Sequence, residues 1–278
     1  MLSYRHAFHA GNHADVLKHL AEVLILQYLV QKEGKPLRYI DTHSGPGTYA
    51  LQASFSSKNR EFNSGIARLW DRSDLPSPLQ HYVNIVRSFN VSSELLRYPG
   101  SPAIAATILG AAHRLQLFEL HAADASILGE WVGRDRRIKV AQADGFLALK
   151  AILPPPEKRA LVMIDPPYEV KTDYDSAILA LETGCKKFAT GVYALWYPLL
   201  DRDDVSDFVE RLKVMPVKSL LVEFPVQSLT GAGMRGSGLF IVNPPWTLQQ
   251  QLEDCLPYLH AALAESGAPL WSTRSHGE

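Results

Sequence analysis

The sequence predicts an α/β fold built on a mostly parallel sheet, and three observations lead to this expectation. Short apolar runs alternate with segments of helical periodicity along the 278 residues. One of these runs, 160–164 (ALVMI), is uninterrupted and is soon followed by two prolines, as expected for a buried central strand. A glycine-rich turn, 45–47, follows an earlier apolar run, which is typical of a strand whose loop approaches a ligand. We expect one domain, 1–278, because a chain of this length can bury its own core.

Seven segments have strand-like composition, and five other segments have apolar residues at helical spacing. The strand-like segments end at polar or turn-forming residues and cover 37–43, 114–121, 138–144, 160–165, 191–198, 218–226 and 237–245. The glycine-rich link 227–236 predicts that the last two strands pair as a hairpin. The helical segments cover 15–31, 103–109, 174–188, 203–213 and 248–263.

Residues 48–99 interrupt this alternation of strands and helices. They contain polar turns and two helical patches with aromatic residues, 65–70 and 79–89, but no convincing strand. We interpret 48–99 as an inserted helical subdomain above the edge of the sheet. After it, Ser101 is a candidate N-cap with Pro102 at the first helical position, so the amino end of this helix would face a ligand.

The four residues 165–168 (DPPY) follow the fourth strand and suit the methylation of an exocyclic amine such as adenine N6. The lone pair of that nitrogen is delocalised into the ring, so the amine is a poor nucleophile. Asp165 and the Pro166 carbonyl would accept hydrogen bonds from its two N–H groups and favour tetrahedral geometry. Tyr168 would stack on a base swung out of its helix or loop. The alternative interpretation is an ordinary turn that ends a strand.

A second motif, 243–246 (NPPW), also follows an apolar run and fits the same amine-methylating pattern when taken alone. It closes the last strand-like segment, far from the glycine-rich turn. We therefore predict that NPPW is a strand-terminating turn and that DPPY is the site.

The turn after the first strand, 41–47 (DTHSGPG), has features of a nucleoside cradle. It lacks the third glycine of a dinucleotide-binding loop and does not run directly into a helix, which argues against NAD. Asp41 stands four residues before the first glycine, Gly45. This arrangement fits a cradle for S-adenosylmethionine.

Two further acids follow predicted strands. Glu119 lies at the end of the second strand, where a carboxylate can accept both ribose hydroxyls of a nucleoside. Asp144 follows the third strand and would bind the amino group of an adenine ring, with Gly145 leaving room for that ring. Each acid alone has the ordinary strand-end interpretation, but three acids at strand ends in this order indicate a site.

The amino-terminal stretch combines aromatic, basic and histidine residues. Tyr4 and Arg5 precede the predicted helix 15–31, and Lys18 lies in its first half; we expect these residues to contact a polyanionic substrate such as RNA, or the target base. A frayed terminus is the alternative. Four histidines, at positions 6, 9, 13 and 19, raise the question of zinc, but no cysteine and few carboxylates lie near them, so we predict no metal.

The composition limits the classes of partner. The formal net charge is −1 and the pI is about 6.8, so no global basic field attracts nucleic acid, and an RNA would need a local patch. Two cysteines, Cys185 and Cys255, indicate a reduced, cytoplasmic protein. No secretory signal is present, and the apolar segment 20–30 is too short to span a bilayer. We expect no membrane partner and a monomer.

With these motifs assembled, the chain resembles the class I S-adenosylmethionine-dependent methyltransferases. The stretches YRHAFHAGNHADVLKH, DTHSGPG, YPGSP, IDPPYEVKTDY and ATGVYALWYP are similar to one family in that class, the RlmJ family of bacterial 23S rRNA adenine-N6 methyltransferases. The resemblance covers nearly the whole chain. It implies a Rossmann-like sheet of seven strands with an antiparallel last strand, plus a small inserted helical subdomain.

The resemblance also implies site residues and a cofactor. The cofactor would be S-adenosylmethionine, released as S-adenosylhomocysteine. Asp165 would be the catalytic acceptor, aided by Pro166 and Tyr168, and Tyr4 would handle the RNA. Many adenine methyltransferases carry Phe where this chain has His43. The motifs above add Gly45 and Asp165 to the cofactor site. The resemblance implies that six further residues line it: His19, His43, Ser101, Glu119, Asp144 and Gly145.

Three functions therefore remain to be compared. The leading one is transfer of a methyl group from S-adenosylmethionine to adenine N6 in 23S rRNA. Adenine N6 in DNA is the nearest enzymatic alternative, since the amine chemistry is the same. A non-catalytic rRNA-binding assembly factor with a vestigial cofactor pocket is the third, although the near-neutral charge does not favour binding by electrostatics alone.

Overall fold

The computed structural model describes residues 9–51 and 60–277. Within these ranges the chain forms a mixed α/β fold around one large sheet. Ten strands are described, and they are β1 (Arg38–Asp41), β2 (Thr48–Ala50), β3 (Arg97–Pro99), β4 (Arg114–Glu119), β5 (Ile138–Gln142), β6 (Ala160–Ile164), β7 (Val192–Leu199), β8 (Ser219–Pro225), β9 (Gly236–Val242) and β10 (Ser272–His276). Eight of them lie in this sheet, and two, β2 and β3, form a separate pair.

Nine helices are described in the same ranges. They are α1 (His13–Val30), α2 (Ala67–Trp70), α3 (Ser77–Ser88), α4 (Ser101–Ile108), α5 (Ala122–Val132), α6 (Gly145–Ile152), α7 (Thr172–Lys187), α8 (Asp203–Lys213) and α9 (Leu248–Leu263). None of them combines the length and the apolar composition that crossing a bilayer requires.

The large sheet has the order β10-β8-β9-β7-β6-β1-β4-β5. Strands β5, β4, β1, β6 and β7 are parallel, and β9 lies antiparallel between β7 and β8. The predicted fold class, the seven predicted strands and the hairpin of β8 and β9 are confirmed. The strand count is wrong by one, because β10 adds an eighth, antiparallel edge strand. Its sequence, STRSH, is polar and largely exposed, so no apolar pattern marks it.

The segment 48–99 begins and ends with a short strand, which sequence reasoning did not find. β2 and β3 pair antiparallel, with Tyr49 opposite Tyr98. Three residues are too few to show the two-residue period of a strand, so the expectation of no strand was wrong. Between them lie a 3₁₀ turn, Glu61–Ser64, and the helices α2 and α3. The interpretation of 48–99 as an inserted subdomain stays a prediction.

Helix α1 is the most deeply buried helix, because its apolar residues extend around most of its circumference. Every residue from 14 to 26 is buried, and the helix packs against α3, α4, α9 and the sheet. One hydrophobic cluster joins α1, α3, α4 and α9 to one face of the sheet. A second cluster joins α6, α7 and α8 to the other face. The two layers leave the carboxyl ends of β1, β4, β5 and β6 together at one edge.

The NPPW motif lies at the opposite edge. Because β9 runs antiparallel, its end at Val242 pairs with Tyr193, near the start of β7. Asn243 has a φ of 52° and its amide donates to the carbonyls of Ala189 (2.8 Å) and Gly191 (2.7 Å). The motif is therefore a turn that closes the strand, as the sequence analysis predicted.

Replacing Asn243 tests this structural role. We expect Asn243→Ala to lower the free energy of unfolding by about 2–3 kcal/mol, since it removes two hydrogen bonds and places Ala in the left-handed region. Asn243→Gly keeps the backbone conformation and should cost less. Chemical denaturation of both variants measures the difference. Equal losses of stability in the two variants would contradict a role for the left-handed backbone conformation at this turn.

Candidate active site

One cavity of about 340 Å³ lies at the edge where β1, β4, β5 and β6 end. It brings together all eight residues predicted for the cofactor, from helix α1, the glycine-rich turn, the start of α4, the ends of β4 and β5, and the DPPY turn. Those residues are His19, His43, Gly45, Ser101, Glu119, Asp144, Gly145 and Asp165. Their contacts with a bound molecule stay predictions, but the predicted convergence of strand-end acids is present.

The glycine-rich turn is held between two neighbouring strands. The Thr42 N–H donates to the Met163 carbonyl at 3.1 Å, and the Gly45 N–H donates to Glu119 Oε2 at 2.8 Å. Gly45 has a φ of 59°, and a Cβ at this position would lie 2.5 Å from the Tyr49 hydroxyl. Glycine is therefore needed where the backbone turns towards the cavity.

Asp41 fixes the base of the cavity. It is fully buried, and its Oδ2 accepts hydrogen bonds from Ser101 Oγ (2.6 Å) and the Tyr39 hydroxyl (3.0 Å). Its Oδ1 accepts from the His43 N–H at 3.1 Å. Burial raises the pKa of Asp41 to about 6, although these three hydrogen bonds oppose the shift.

The role predicted for Ser101 as an N-cap is wrong. Helix α4 starts at Ser101 itself, Gly100 occupies the N-cap position, and no side chain caps this end. The Ser101 hydroxyl instead donates to Asp41, which connects the start of α4 to the end of β1. Ser101 still lines the cavity.

Glu119 projects from the end of β4 and is fixed by two backbone groups. Its Oε1 accepts from the His121 N–H at 2.7 Å, and its Oε2 accepts from the Gly45 N–H. Burial raises the pKa of this carboxyl, and the two N–H donors partly offset that shift. Each oxygen retains a lone pair, so the carboxylate can still accept hydrogen bonds from a diol.

Asp144 and Gly145 start helix α6 beside the glycine-rich turn. Asp144 is the N-cap and accepts a hydrogen bond from the Leu147 N–H at 3.1 Å. A Cβ on Gly145 would lie 2.0 Å from the Thr42 carbonyl oxygen. Glycine is required here for close packing of α6 on the turn, and the predicted space for an adenine ring stays a prediction.

His43 forms part of the cavity wall and is neutral near pH 7. Its Nδ1 lies 2.8 Å from Thr42 Oγ1, and its ring makes an edge contact with Phe146 at 4.7 Å between ring centroids. Burial lowers the pKa of His43 to about 4. The ring therefore offers a neutral surface in an otherwise acidic cavity.

Lys18 lies inside the site rather than on an RNA-facing surface. Only 4% of its side chain is exposed, and its Nζ lies 2.5 Å from Asp165 Oδ2 and 2.8 Å from Asp15 Oδ1. Burial opposes its charge, but the two carboxylates hold the pKa of Lys18 above its ordinary value. The structure shows that Lys18 forms a buried ion pair with the DPPY aspartate, and its predicted contact with RNA stays a prediction.

Tyr168 is placed differently from its predicted stacking position. It has a φ of 52°, its ring is buried against Tyr174 (4.5 Å between centroids) and Phe208, and it does not line the cavity. Its hydroxyl donates to the Trp196 carbonyl at 2.7 Å. In this position Tyr168 fixes the DPPY turn to β7, and its ring has no face open to a base.

Sequence reasoning missed a buried chain of polar groups behind the cavity. The Tyr82 and Tyr98 hydroxyls lie 2.9 Å apart, and the Tyr98 hydroxyl lies 2.6 Å from His19 Nδ1. A pattern in the sequence of α1 could have revealed it. Polar residues at spacings of three and four share one face of this otherwise apolar helix, namely Asp15, Lys18, His19 and Glu22.

The other amino-terminal predictions stay predictions. Tyr4 and Arg5 lie outside the described residues. His9 Nδ1 lies 2.9 Å from Glu61 Oε2, and Asn12 also donates to Glu61, at 3.0 Å. Among the described residues, no group of three or more histidines, cysteines or acids is arranged to hold a metal ion.

Comparisons with known proteins identify the family. The profile of the family described as "RsmJ: Ribosomal RNA large subunit methyltransferase D, RlmJ" matches residues 34–273. The chain belongs to the RlmJ family. It is 46% identical over 269 residues to "Ribosomal RNA large subunit methyltransferase J" of Escherichia coli K12, with 96% of each protein covered. It is 46% identical over 275 residues to the Haemophilus influenzae protein of the same name, with 98% of each covered.

A solved structure extends the family comparison to the fold. The crystal structure of a Legionella pneumophila protein superposes with a TM-score of 0.89 and 37% sequence identity, covering 96% of this chain and 98% of that one. Like other members of the RlmJ family, the chain is a methyltransferase that uses S-adenosylmethionine.

The chemistry of the cavity fits that cofactor. Among the described residues that line the cavity, six are acidic, and Lys18 is the one lysine or arginine. A negative cavity favours a ligand with a sulfonium and an ammonium group and disfavours a dinucleotide with two phosphates. The residues that would hold the adenosine part are Glu119 and Asp144. The lining acids are Glu119, Asp124, Asp144, Asp165, Glu169 and Asp173.

The raised pKa of Asp41 predicts a pH-dependent contribution to stability. Because the pKa is about 6 in the folded chain and 3.8 ordinarily, the contribution is present below pH 4 and is lost as the pH rises to about 6. About two pKa units correspond to roughly 3 kcal/mol. We expect the free energy of unfolding of the unaltered chain, relative to Asp41→Asn, to fall by that order between pH 4 and pH 7. Urea denaturation across this range measures it; parallel pH curves would contradict it.

Gly145 provides a second test of the site. We expect Gly145→Ala to weaken binding of S-adenosylhomocysteine by about 10-fold or more, since the added Cβ must displace the Thr42 backbone and the turn it belongs to. Gly129→Ala is the matched control, because a Cβ there meets no atom within 4 Å and lies in helix α5. Isothermal titration calorimetry compares them. Equal affinities in the two variants would show that the turn does not depend on Gly145.

Proposed function

We propose that the chain transfers a methyl group from S-adenosylmethionine to N6 of an adenine in 23S rRNA. The observation that supports it most directly is the position of Asp165. This carboxylate follows the central strand β6, lines the cofactor cavity and is paired with the buried Lys18. The names of the E. coli and H. influenzae relatives support ribosomal RNA of the large subunit as the substrate.

The two oxygens of Asp165 have separate tasks in this proposal. Oδ2 is held by Lys18, whereas Oδ1 has no hydrogen-bond partner among the described residues. Oδ1 and the Pro166 carbonyl can therefore accept the two N–H groups of an exocyclic amine. Pro166 also lacks a backbone N–H, so the backbone offers the amine no competing donor at this position.

Charge explains why a carboxylate suits this position. When bound, S-adenosylmethionine supplies the methyl group on a positively charged sulfur. As the N–C bond forms and the carbon–sulfur bond of the donor breaks, the amine would become positive. The Asp165 carboxylate would stabilise that charge by hydrogen bonding until one N–H proton passes to water. Lys18 fixes the Asp165 carboxylate in one orientation, which leaves Oδ1 directed at the amine.

Tyr168 has a supporting role in this mechanism. Its hydroxyl bond to the Trp196 carbonyl holds the DPPY turn against β7, and its ring packs against the Trp196 ring. The predicted assignment of Tyr168 to base stacking is therefore not carried into the proposal.

The remaining parts of the proposal concern partners and organisation. We infer that Tyr4 and Arg5 contact the RNA, that 48–99 forms an inserted helical subdomain, and that the protein acts as a cytoplasmic monomer. The contacts of Arg68, Arg72 and Arg87 with other parts of the chain favour a structural role for these three arginines, because each is bonded to backbone or side-chain groups.

Asp165 is the residue to test. We expect Asp165→Ala to lower the rate of methyl transfer to transcribed 23S rRNA by about 10²–10³-fold or more, as for loss of one group that stabilises developing charge. Transfer of radiolabelled methyl groups, followed by mass mapping of N6-methyladenine, measures this. Binding of S-adenosylhomocysteine by the variant serves as the control for folding.

The same assay separates the alternatives. Faster transfer to duplex DNA than to 23S rRNA would favour a DNA adenine methyltransferase. Binding of 23S rRNA without methyl transfer by the unaltered chain would favour an assembly factor. Near-full transfer by a folded Asp165→Ala variant would overturn the role given to the carboxylate.

A further inference from the structure

Asp15 is a buried carboxylate that lies directly behind the proposed catalytic pair. It stands three residues before Lys18 on helix α1, and only 1% of its side chain is exposed. Its Oδ1 lies 2.8 Å from Lys18 Nζ, and the same ammonium lies 2.5 Å from Asp165 Oδ2. The Lys18 ammonium is therefore shared by two carboxylates, of which only Asp165 lines the cavity.

The second oxygen of Asp15 fixes the direction of its carboxylate. Oδ2 accepts a hydrogen bond from the Gly11 N–H at 2.9 Å. The Gly11 carbonyl accepts in turn from the Ile66 N–H at 2.8 Å, so the backbone donor is itself held in place. A carboxylate fixed in this way can hold the flexible lysine side chain in a single position.

The charges of the three groups explain why two carboxylates are useful. Lys18 and Asp165 alone would form a neutral pair, and a neutral pair stabilises a developing positive charge on an amine poorly. With Asp15 included, the cluster carries a net charge of −1. Lys18 then orients Asp165 without cancelling the negative charge that faces the amine.

We propose that Asp15 is a positioning residue for methyl transfer, which holds the Lys18 ammonium on Asp165 and balances its charge. This inference rests on the proposed function of Asp165 and adds a residue that does not touch the substrate. It predicts that Asp15 affects the rate of the chemical step more than the binding of either substrate.

The first test is Asp15→Asn, which keeps the shape of the side chain and removes its charge. We expect kcat for methylation of transcribed 23S rRNA to fall about 10- to 100-fold, the range for a hydrogen bond or ion pair between buried charged groups. The KM values for RNA and S-adenosylmethionine should change less than about three-fold. Glu22→Gln is the matched control, because Glu22 is equally buried on α1 and is not part of the ion pairs that the structure describes for Lys18. In this variant kcat should remain within about two-fold of the unaltered chain.

The second test asks whether Asp15 acts through Lys18. In a double-mutant cycle, Asp15→Asn should have little further effect on kcat once Lys18→Met is present. The pH profile gives an independent readout. With Asp15 charged, Lys18 stays protonated at alkaline pH; in Asp15→Asn burial lowers its pKa, so kcat should fall at a lower pH than in the unaltered chain. The titratable groups around Lys18 are Asp15, His19 and Glu22 on α1, Tyr82 on α3, and Asp165.

The outcomes distinguish this inference from the proposed function. If the unaltered chain does not methylate 23S rRNA, the proposed function fails first. If it does, and Asp15→Asn has unchanged kcat and pH profile, or its effect simply adds to that of Lys18→Met, the inference is wrong. If the Asp15→Asn variant does not fold, the double variant with Lys18→Met decides. If the double variant folds, the result supports a role of Asp15 in balancing the charge of Lys18. If neither variant folds, Asp15 serves the fold alone and the inference is overturned.

Discussion

The site depends on a lysine that is kept charged inside the protein. An unpaired ammonium that is 96% removed from solvent would lose its proton or disrupt the fold, since the cost of burying it is several kcal/mol. Two carboxylates offset that cost, one from the same helix and one from the DPPY turn. The ion pair therefore forms only when three parts of the chain are assembled together: helix α1, the turn after β6 and the amino-terminal residues that bind Asp15. In this way the ion pair links the fold to the chemistry.

A second buried carboxylate, Asp41, organises the cofactor side of the cavity in a different way. It has no cationic partner among the described residues and is satisfied by three neutral donors, which join β1, the glycine-rich turn and α4. Its raised pKa is the consequence of that environment. The nearby Glu22 is also fully buried, and burial raises its pKa well above the ordinary value, with the charge of Asp41 adding to the shift. A protonated Glu22 avoids a second negative charge beside Asp41.

Much of the fold and most of the cavity could be predicted because parallel strands impose a shared geometry. Strands that run in the same direction bring their carboxyl ends to one edge, so Asp41, Glu119, Asp144 and Asp165 had to converge once the strands were recognised. The short strands β2 and β3 and the polar edge strand β10 could not be found, since neither length nor apolar periodicity marks them. The pairing of Lys18 with Asp165 was also hidden, because this contact between α1 and the end of β6 joins residues 147 positions apart.

The role of Tyr168 was mispredicted for a conformational reason. A tyrosine after two prolines fits a stacking group in sequence, but a φ of 52° turns its side chain into the core between β7 and α8. Non-glycine residues adopt this region at a cost of about 1–3 kcal/mol, and the hydroxyl bond to Trp196 together with the aromatic packing offsets it. Only the tertiary structure decides between these two positions.

Strand direction decides which of two similar motifs can act on a base. DPPY and NPPW both follow apolar strands, and both have a residue of positive φ near their prolines. β6 runs parallel to β1 and ends beside the glycine-rich turn, whereas β9 runs antiparallel and ends at the opposite edge, where Asn243 binds two carbonyls of the α7–β7 connection. The side-chain amide of Asn243 is thereby bonded to the backbone, whereas Asp165 lines the cavity. The chemistry of the motif therefore follows from the direction of its strand and from what lies at that edge of the sheet, rather than from the four residues themselves.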